Sequence, residues 1–320
     1  MGFVLKEKLK GVKGRLRVWH KEEYGLMKER ITKLREEIEA ADVRGESFLF
    51  TEEEVTIRMD NFSKIWSLLK AKDSLVVQRS RVKWLKEGDA STKFFHNCMK
   101  ARANGNSLRA LKVNGEWLQT PEEVRRAVID YFKRQVSVVG GDRPRLDGVW
   151  FNKISEEENG RLVDTFSAEE IKGVVKDSDG NKSPGPDDFN FAFFKRFWYL
   201  LKDEVRTFFD QFHANEVILK SLLAYFVTLI PKISSPMSLK DFRPISLLGS
   251  LYKILAKVLD RRLGKVMDSI ISSSQSAFVK DRNLVDGVLV ANEMVDYAKR
   301  RNKQCLVLKV DFEKAYDFVD

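Results

Sequence analysis

The sequence predicts an α+β protein in which helices dominate and a few short, non-local strands complete the fold. Three observations carry this prediction. Apolar residues recur every three or four positions through most of the chain. Ser/Thr-x-x-Glu signatures open several of those runs. Only a few short stretches show the apolar density and β-branching of strands.

Composition narrows the class. Of 320 residues, 43% are hydrophobic and 32% charged, a globular balance. The net charge of +10 suits a polyanionic partner, because basic residues neutralise phosphates and release counterions. A generic basic surface has the same charge, so this reading stays open. Cys98 and Cys305 lie far apart with no Cys-x-x-Cys, which argues against structural zinc and for a reducing, intracellular compartment, nucleus or cytoplasm. The start MGFVLKEKLKG lacks the apolar run of a signal peptide. No stretch of about 18 apolar residues exists, so no membrane partner is expected.

Residues 1–45 read as helical, with Leu5, Leu9, Val12, Leu16 and Trp19 on one seam and Met27, Ile31, Leu34 and Ile38 resuming it. A helix over 51–78, with Val55, Phe62, Ile65, Leu69 and Val76, supplies an antiparallel partner. Residues 1–78 thus form a helical, coiled-coil-like linker, and self-association through it is an option. Residues 79–150 form a second segment. Its first part, RSRVKWLKEGDASTKFFHNCMKARANGNSL, mixes cations with rings, as a nucleic-acid surface or an amphipathic helix does. Arg81, Lys83, Trp84 and Lys93 are its candidate contacts. LRALKVNGEWL is a hairpin turning at Asn114-Gly115. Thr120, Pro121 and Glu123 open a helix with a capping box, and the glycine- and proline-bearing stretch 137–150 is the expected domain boundary.

The third segment is 151–320. Ser155…Glu158 and Ser167…Glu170 are two more capping boxes, and the SPGPDD turn feeds a long aromatic-rich helix. AYFVTLIPK is a strand. The loop ISSPMSLKDFRPISL closes on a second strand at Arg243–Ser246. SLYKILAKVLDRRLGKVMDSII is helical, SSSQSAFVKDRNLVDG a polar loop, VLVANEMVDYAKRR helical, and Gln304–Val310 a final buried strand. Asp311 at its end either caps the helix FEKAYDFV or stands on a rigid edge as a metal ligand, where a hard cation such as Mg²⁺ takes carboxylate oxygen.

The block LKVDFEKAYD resembles the first catalytic block of LINE-type, non-LTR retrotransposon reverse transcriptases, in particular plant ones. SPGPDDFNFAFFKRFW, TLIPKISSPMSLKDFRPISLLGSLYKILAKVLDRRL and QSAFVKDRNLVDGVLVANE resemble that family's preceding blocks in the same order. RVKWLKEGDASTKFFHNCMKARANGNSL resembles the segment joining its endonuclease to its polymerase, which favours the retrotransposon branch over the intron maturases that share the polymerase blocks. The implied fold for 151–320 is the fingers and first palm strand of a right-hand polymerase.

The implied roles follow the motifs. Asp311 matches the first metal-binding carboxylate and the Phe312 carbonyl a further ligand. Tyr316 matches the ring that abuts the sugar and rejects a 2′-hydroxyl, although without the family it reads as a core aromatic. Lys232 and Arg243 match residues that grip the incoming triphosphate; otherwise they are solvated loop charges. Gln275, Phe278 and Arg282 fall in a block that in the family lies against the template strand; otherwise they belong to a polar loop flanking a helix. The implied partners are an RNA template, a DNA primer and deoxynucleotide triphosphates, with Mg²⁺ as cofactor.

The sequence also departs from the family. No Y-x-D-D occurs in these 320 residues. Counting at about 100° per residue, Asp317 falls roughly 240° and Asp320 roughly 180° from Asp311, so neither substitutes on its face. No endonuclease precedes the linker-like stretch, DFVD ends the block unusually, and KDR replaces a glycine-bearing turn. The expectation is a truncated polymerase that is inactive alone. The alternatives are a non-catalytic nucleic-acid-binding remnant, or a helical interaction protein using 1–78. The apolar stretch Leu306–Val310 is expected to lie exposed without partner strands.

Overall fold

Helices account for most of the described backbone because most of the chain carries a 3.6-residue apolar period with local caps. The computed structural model describes residues 2–80, 92–105, 108, 110–137, 147–148 and 150–310. The chain divides into two compact units. One comprises Lys6–Arg125 and Thr228–Ile245; the other comprises Met1–Leu5, Arg126–Val227 and Ser246–Asp320.

At the N-terminus the predicted long helix is two: α1 (Gly2–Tyr24) and α2 (Met27–Gly45). The break falls at Gly25-Leu26, where glycine weakens the helix. Of the expected α1 seam, Leu5 and Leu9 are buried, whereas Val12, Leu16 and Trp19 are exposed. In the first unit, α3 (Glu52–Ser80) packs on α2. Ile31 and Ile38 meet Ile65, with Leu34, Phe62 and Leu69 beside them. Asp42 pairs with Arg58 at 2.7 Å and Glu37 accepts from Asn61 at 3.2 Å. Partner numbers rise on one helix as they fall on the other, so the pair is antiparallel as the sequence predicts. Then follow α4 (Thr92–Gly105) and a small hairpin of β1 (Leu111–Val113) and β2 (Glu116–Leu118). Asn114 (φ 52°) and Gly115 (φ 94°) both adopt the left-handed region that a two-residue hairpin turn requires.

The helix α5 (Pro121–Val136) carries the predicted reciprocal cap: Glu123 N–H donates to Thr120 Oγ1 and Thr120 N–H to the Glu123 carboxylate, both at 3.4 Å. Beyond it come α6 (Glu156–Val163), α7 (Ala168–Asp177), α8 (Phe191–Arg196) and α9 (Trp198–Asn215). The expected single aromatic helix is therefore broken, at Phe197. The strands β3 (Tyr225–Pro231) and β4 (Phe242–Leu248) pair as a second two-stranded sheet. The chain then runs through α10 (Ser250–Gly264), α11 (Met267–Ile270) and α12 (Leu284–Arg300). The class is α+β, with two small sheets among the described residues.

The core of the second unit is built by α7–α10. Ile171, Val174, Phe194, Val205, Phe209, Ile254, Leu255 and Val258 are all at most 1% exposed. Burying an aliphatic or aromatic side chain of this kind contributes about 1.5–3 kcal/mol. Arg262 closes one end of that core. Its guanidinium meets Glu170 at 2.8 and 2.9 Å and donates to the carbonyls of Leu162, Asp164 and Thr165, while its Cζ sits 4.2 Å from the centre of the Phe166 ring. Ser155–Glu158 forms a full capping box. Ser167 accepts from Glu170 N–H, and the Glu170 carboxylate also meets Arg262.

One expected element does not form. Gln304–Val310 makes no strand ladder, and Leu306, Val307, Leu308 and Val310 are 94, 72, 81 and 60% exposed. An isolated segment leaves its backbone groups to water unless another strand takes them, and no described strand is hydrogen-bonded to it.

Candidate functional site

The implied catalytic residues Asp311, Phe312 and Tyr316 lie outside the described residues, as do Arg81, Lys83 and Trp84 and the side chain of Lys93. The remaining candidates fall into two local structures, a strand hairpin and a polar loop.

The hairpin is β3–β4. Lys232 N–H donates to Asp241 O at 2.7 Å where the connection leaves the ladder. Asp241 organises that connection: its carboxylate accepts from Met237 N–H (3.0 Å), Ser238 N–H (2.8 Å) and Ser238 Oγ (3.0 Å). Those backbone bonds, from Ser238 first and Met237 next, hold the Asp241 carboxyl below the ordinary aspartate value. In the same unit, Met237 O accepts Lys112 N–H of β1 at 2.7 Å, tying the small hairpin to this connection. Lys232 is exposed, and its ammonium donates to Lys240 O at 2.9 Å. Arg243, two residues beyond Asp241, is exposed, and its guanidinium has no hydrogen-bond or ion-pair partner among the described residues. The hairpin therefore carries both predicted phosphate-binding candidates. Arg243 offers a guanidinium fork that no described residue engages, and Lys232 a point charge anchored to its own loop.

The polar loop joins α11 to α12 and brings Gln275, Phe278 and Arg282 together. Arg282 turns inward. Its guanidinium donates to Ser272 O (2.5 Å), Gln275 O (2.9 Å), Ile271 O (3.2 Å) and the Asp268 carboxylate (2.9 Å). The Gln275 amide donates to Ala277 O at 3.2 Å. Phe278 points outward, 91% exposed at a φ of 61°.

Sequence reasoning missed the role of Asp187 in the SPGPDD turn. Its Oδ2 accepts Ser250 N–H at 2.6 Å, capping the N-terminus of α10 where β4 ends. Ser250 Oγ donates back to Phe189 O at 2.5 Å, and Lys253 Nζ to Ser183 O at 3.1 Å. Gly185 permits this close approach, since a Cβ there would stand 2.2 Å from Leu248 O. Burial pushes the Asp187 carboxyl above the ordinary aspartate value despite the helix end and Lys253, and its Oδ1 is buried without a partner. The Pro-Gly-Pro-Asp string signals a fixed turn, but nothing in it shows which helix the acid caps.

Among the described residues, no three His, Cys, Asp or Glu side chains come together. No described helix is long and apolar enough to cross a membrane.

Comparison with known proteins bears on residues from both local structures. Residues 230–320 match the family model described as reverse transcriptase (RNA-dependent DNA polymerase). Over 246 residues, 76% of the chain, the sequence is 30% identical to a Xenopus laevis protein described as the Transposon TX1 uncharacterized 149 kDa protein. The chain spans 19% of that relative's length. These matches support the resemblance to LINE-type reverse transcriptases that the motifs carry.

Proposed function

We propose that this chain, whose residues 230–320 match the reverse transcriptase family model and which is similar to a transposon protein, forms the fingers and the first palm block of an RNA-directed DNA polymerase of non-LTR type. In this reading β3–β4 is the fingers hairpin. Arg243 engages phosphate oxygens of the deoxynucleotide triphosphate with its planar fork and Lys232 adds a second positive charge. Asp311 and the Phe312 carbonyl serve as ligands to the metal, which would supply charge stabilisation at the transferred phosphate. Tyr316 walls off a 2′-hydroxyl. Gln275 and Phe278 face the RNA template. Arg81, Lys83, Trp84 and Lys93 hold nucleic acid upstream through phosphate contact and stacking.

The observation that supports this reading best is Arg243, whose guanidinium has no partner among the described residues, on a strand, β4, that lies within the reverse transcriptase match. One Asp does not make a catalytic constellation, and no Y-x-D-D occurs among these 320 residues. We therefore expect binding without primer extension from this chain alone. The test is photocrosslinking of a deoxynucleotide triphosphate beside a primer-extension assay on an RNA template. Crosslinking that Arg243→Ala abolishes, with no extension, is the expected result. Labelling unaffected by Arg243→Ala refutes the assignment, and extension by wild-type chain refutes the expected inactivity. A non-catalytic nucleic-acid-binding role is the second reading, supported by the net charge of +10. It predicts steeply salt-dependent binding of nucleic acid with no nucleotide labelling.

A further inference from the structure

The loop between α11 and α12 divides its labour between an inward cation and an outward ring. Arg282 is the more deeply placed of the two. Its side chain is 18% exposed, and its guanidinium donates to three carbonyls and one carboxylate. A guanidinium has five N–H donors. With four hydrogen bonds already made to the loop and to Asp268 of α11, little remains for a phosphate. Its one acidic partner, Asp268, is 81% exposed, so the three carbonyls are the contacts that fix loop shape.

Phe278 shows the opposite arrangement. It is 91% exposed, so its ring gains almost nothing from the fold. Its backbone sits at a φ of 61°, a conformation that disfavours a bulky residue. A second positive φ at Asp281 (64°) brackets the Arg282 side of the same turn. A ring held outward on disfavoured backbone is an outlier that points to a function. The loop's other charges do not make a strong anion site, since Lys280 lies 3.6 Å from Asp281 and both are more than 80% exposed.

We propose that Arg282 is a positioning residue rather than a phosphate ligand: it holds the 271–282 loop closed so that Phe278 is presented as a stacking platform for an unpaired base of a single-stranded nucleic acid. This rests on the nucleic-acid reading of the preceding subsection and departs from the sequence-based expectation that Arg282 itself lies against the template strand. An aromatic face stacks on any base, so the platform tolerates sequence and contributes little to salt dependence.

The test is fluorescence anisotropy of the whole 320-residue chain with a labelled single-stranded RNA, repeated over a salt series. Phe278→Ala is expected to weaken binding about 5- to 150-fold, the range for losing one stacked base, with the salt slope unchanged. Phe278→Trp is expected to retain binding. Arg282→Lys keeps the charge but cannot span the same acceptors; it is expected to weaken binding as much as Phe278→Ala does. The double variant Phe278→Ala/Arg282→Lys should be no weaker than either single one. Hydrogen exchange over 271–282 should rise in Arg282→Lys and stay as in wild type in Phe278→Ala, since the Phe278 ring closes no hydrogen bond of the loop.

The inference is overturned if Arg282→Lys binds like wild type while Arg282→Gln flattens the salt slope by about 0.7, the signature of one lost phosphate contact on a single strand. Wild-type affinity in Phe278→Ala overturns it as well, and does so even where the Arg282 variants do not fold. In both cases the nucleic-acid reading survives. Absence of salt-dependent RNA binding by wild type removes that reading and the inference with it.

Discussion

Replacing Arg262 by Ala tests the account of how the second unit is held together. Arg262 sits at the end of α10 with its side chain 8% exposed; its partner Glu170 on α7 is 20% exposed. Removing the guanidinium strips both charged hydrogen bonds from Glu170, leaves the carbonyls of Leu162, Asp164 and Thr165 without that donor, and removes the contact with the Phe166 ring. Deleting one member of a mostly buried pair costs about 3–5 kcal/mol. The neighbouring residue is a control within the same turn. Arg261 pairs with Asp177 at 2.8 Å, but the two side chains are 42 and 60% exposed, so Arg261→Ala should cost no more than about 1 kcal/mol. The assay is urea unfolding of wild type and both variants, with hydrogen exchange over α7 and α10 reporting which unit opens. A loss below about 0.5 kcal/mol for Arg262→Ala, or equal losses for the two arginines, refutes the reasoning.

Further outcomes follow from the same contacts. Burial pushes Glu170 up, but the hydrogen bonds and charge of Arg262 more than reverse this, leaving the carboxyl below the ordinary 4.5. A depressed carboxylate stabilises above its unfolded value, so the clamp's contribution should be lost as pH falls below about 4.5 and through the folded value, read as a falling urea midpoint in wild type and a flatter profile in Arg262→Ala. Asp187 has the opposite sign. Its raised carboxyl makes stability fall as pH rises from 3.8 through the folded value, so Asp187→Asn, which keeps an oxygen for Ser250 N–H, should be neutral or stabilising at pH 7. Asp187→Ala loses the cap and should cost about 0.5–2 kcal/mol; a larger loss in the Asn variant than in the Ala variant would sink the capping account. Gly185→Ala should destabilise by at least about 1–3 kcal/mol, because the added carbon meets backbone at Leu248. Gly160→Ala in α6, where nothing lies within 4 Å, should instead stabilise by about 0.5–1 kcal/mol, and equal thermal shifts in the two would contradict the geometry.

Local chemistry was legible in the sequence wherever the deciding partners lie within a few residues. Asn114-Gly115 dictated a left-handed two-residue turn because few other pairs adopt it without strain. Thr120–Glu123 and Ser155–Glu158 dictated helix starts, since each box satisfies backbone donors three residues away. The α2–α3 pairing followed from apolar spacing alone. The family blocks likewise lie in short strings, and those over 230–320 fall within the reverse transcriptase match.

Tertiary structure decided whatever depends on residues far apart in the chain. Ser167–Glu170 carries the same capping signature as Ser155–Glu158, but its glutamate also pairs with Arg262, 92 positions away. Asp187 looks like a turn residue, and only the approach of Ser250 makes it the cap of α10. The motif around Arg282 does not show that its guanidinium donates to the carbonyls of Ile271, Ser272 and Gln275. Gln304–Val310 has a strand's composition but forms no ladder, because composition sets which side chains suit a sheet while pairing needs another strand's N–H and C=O groups. A sequence records the preferences of each segment; charged donors and unpaired backbone choose among distant partners, and that choice exists only once the chain has folded.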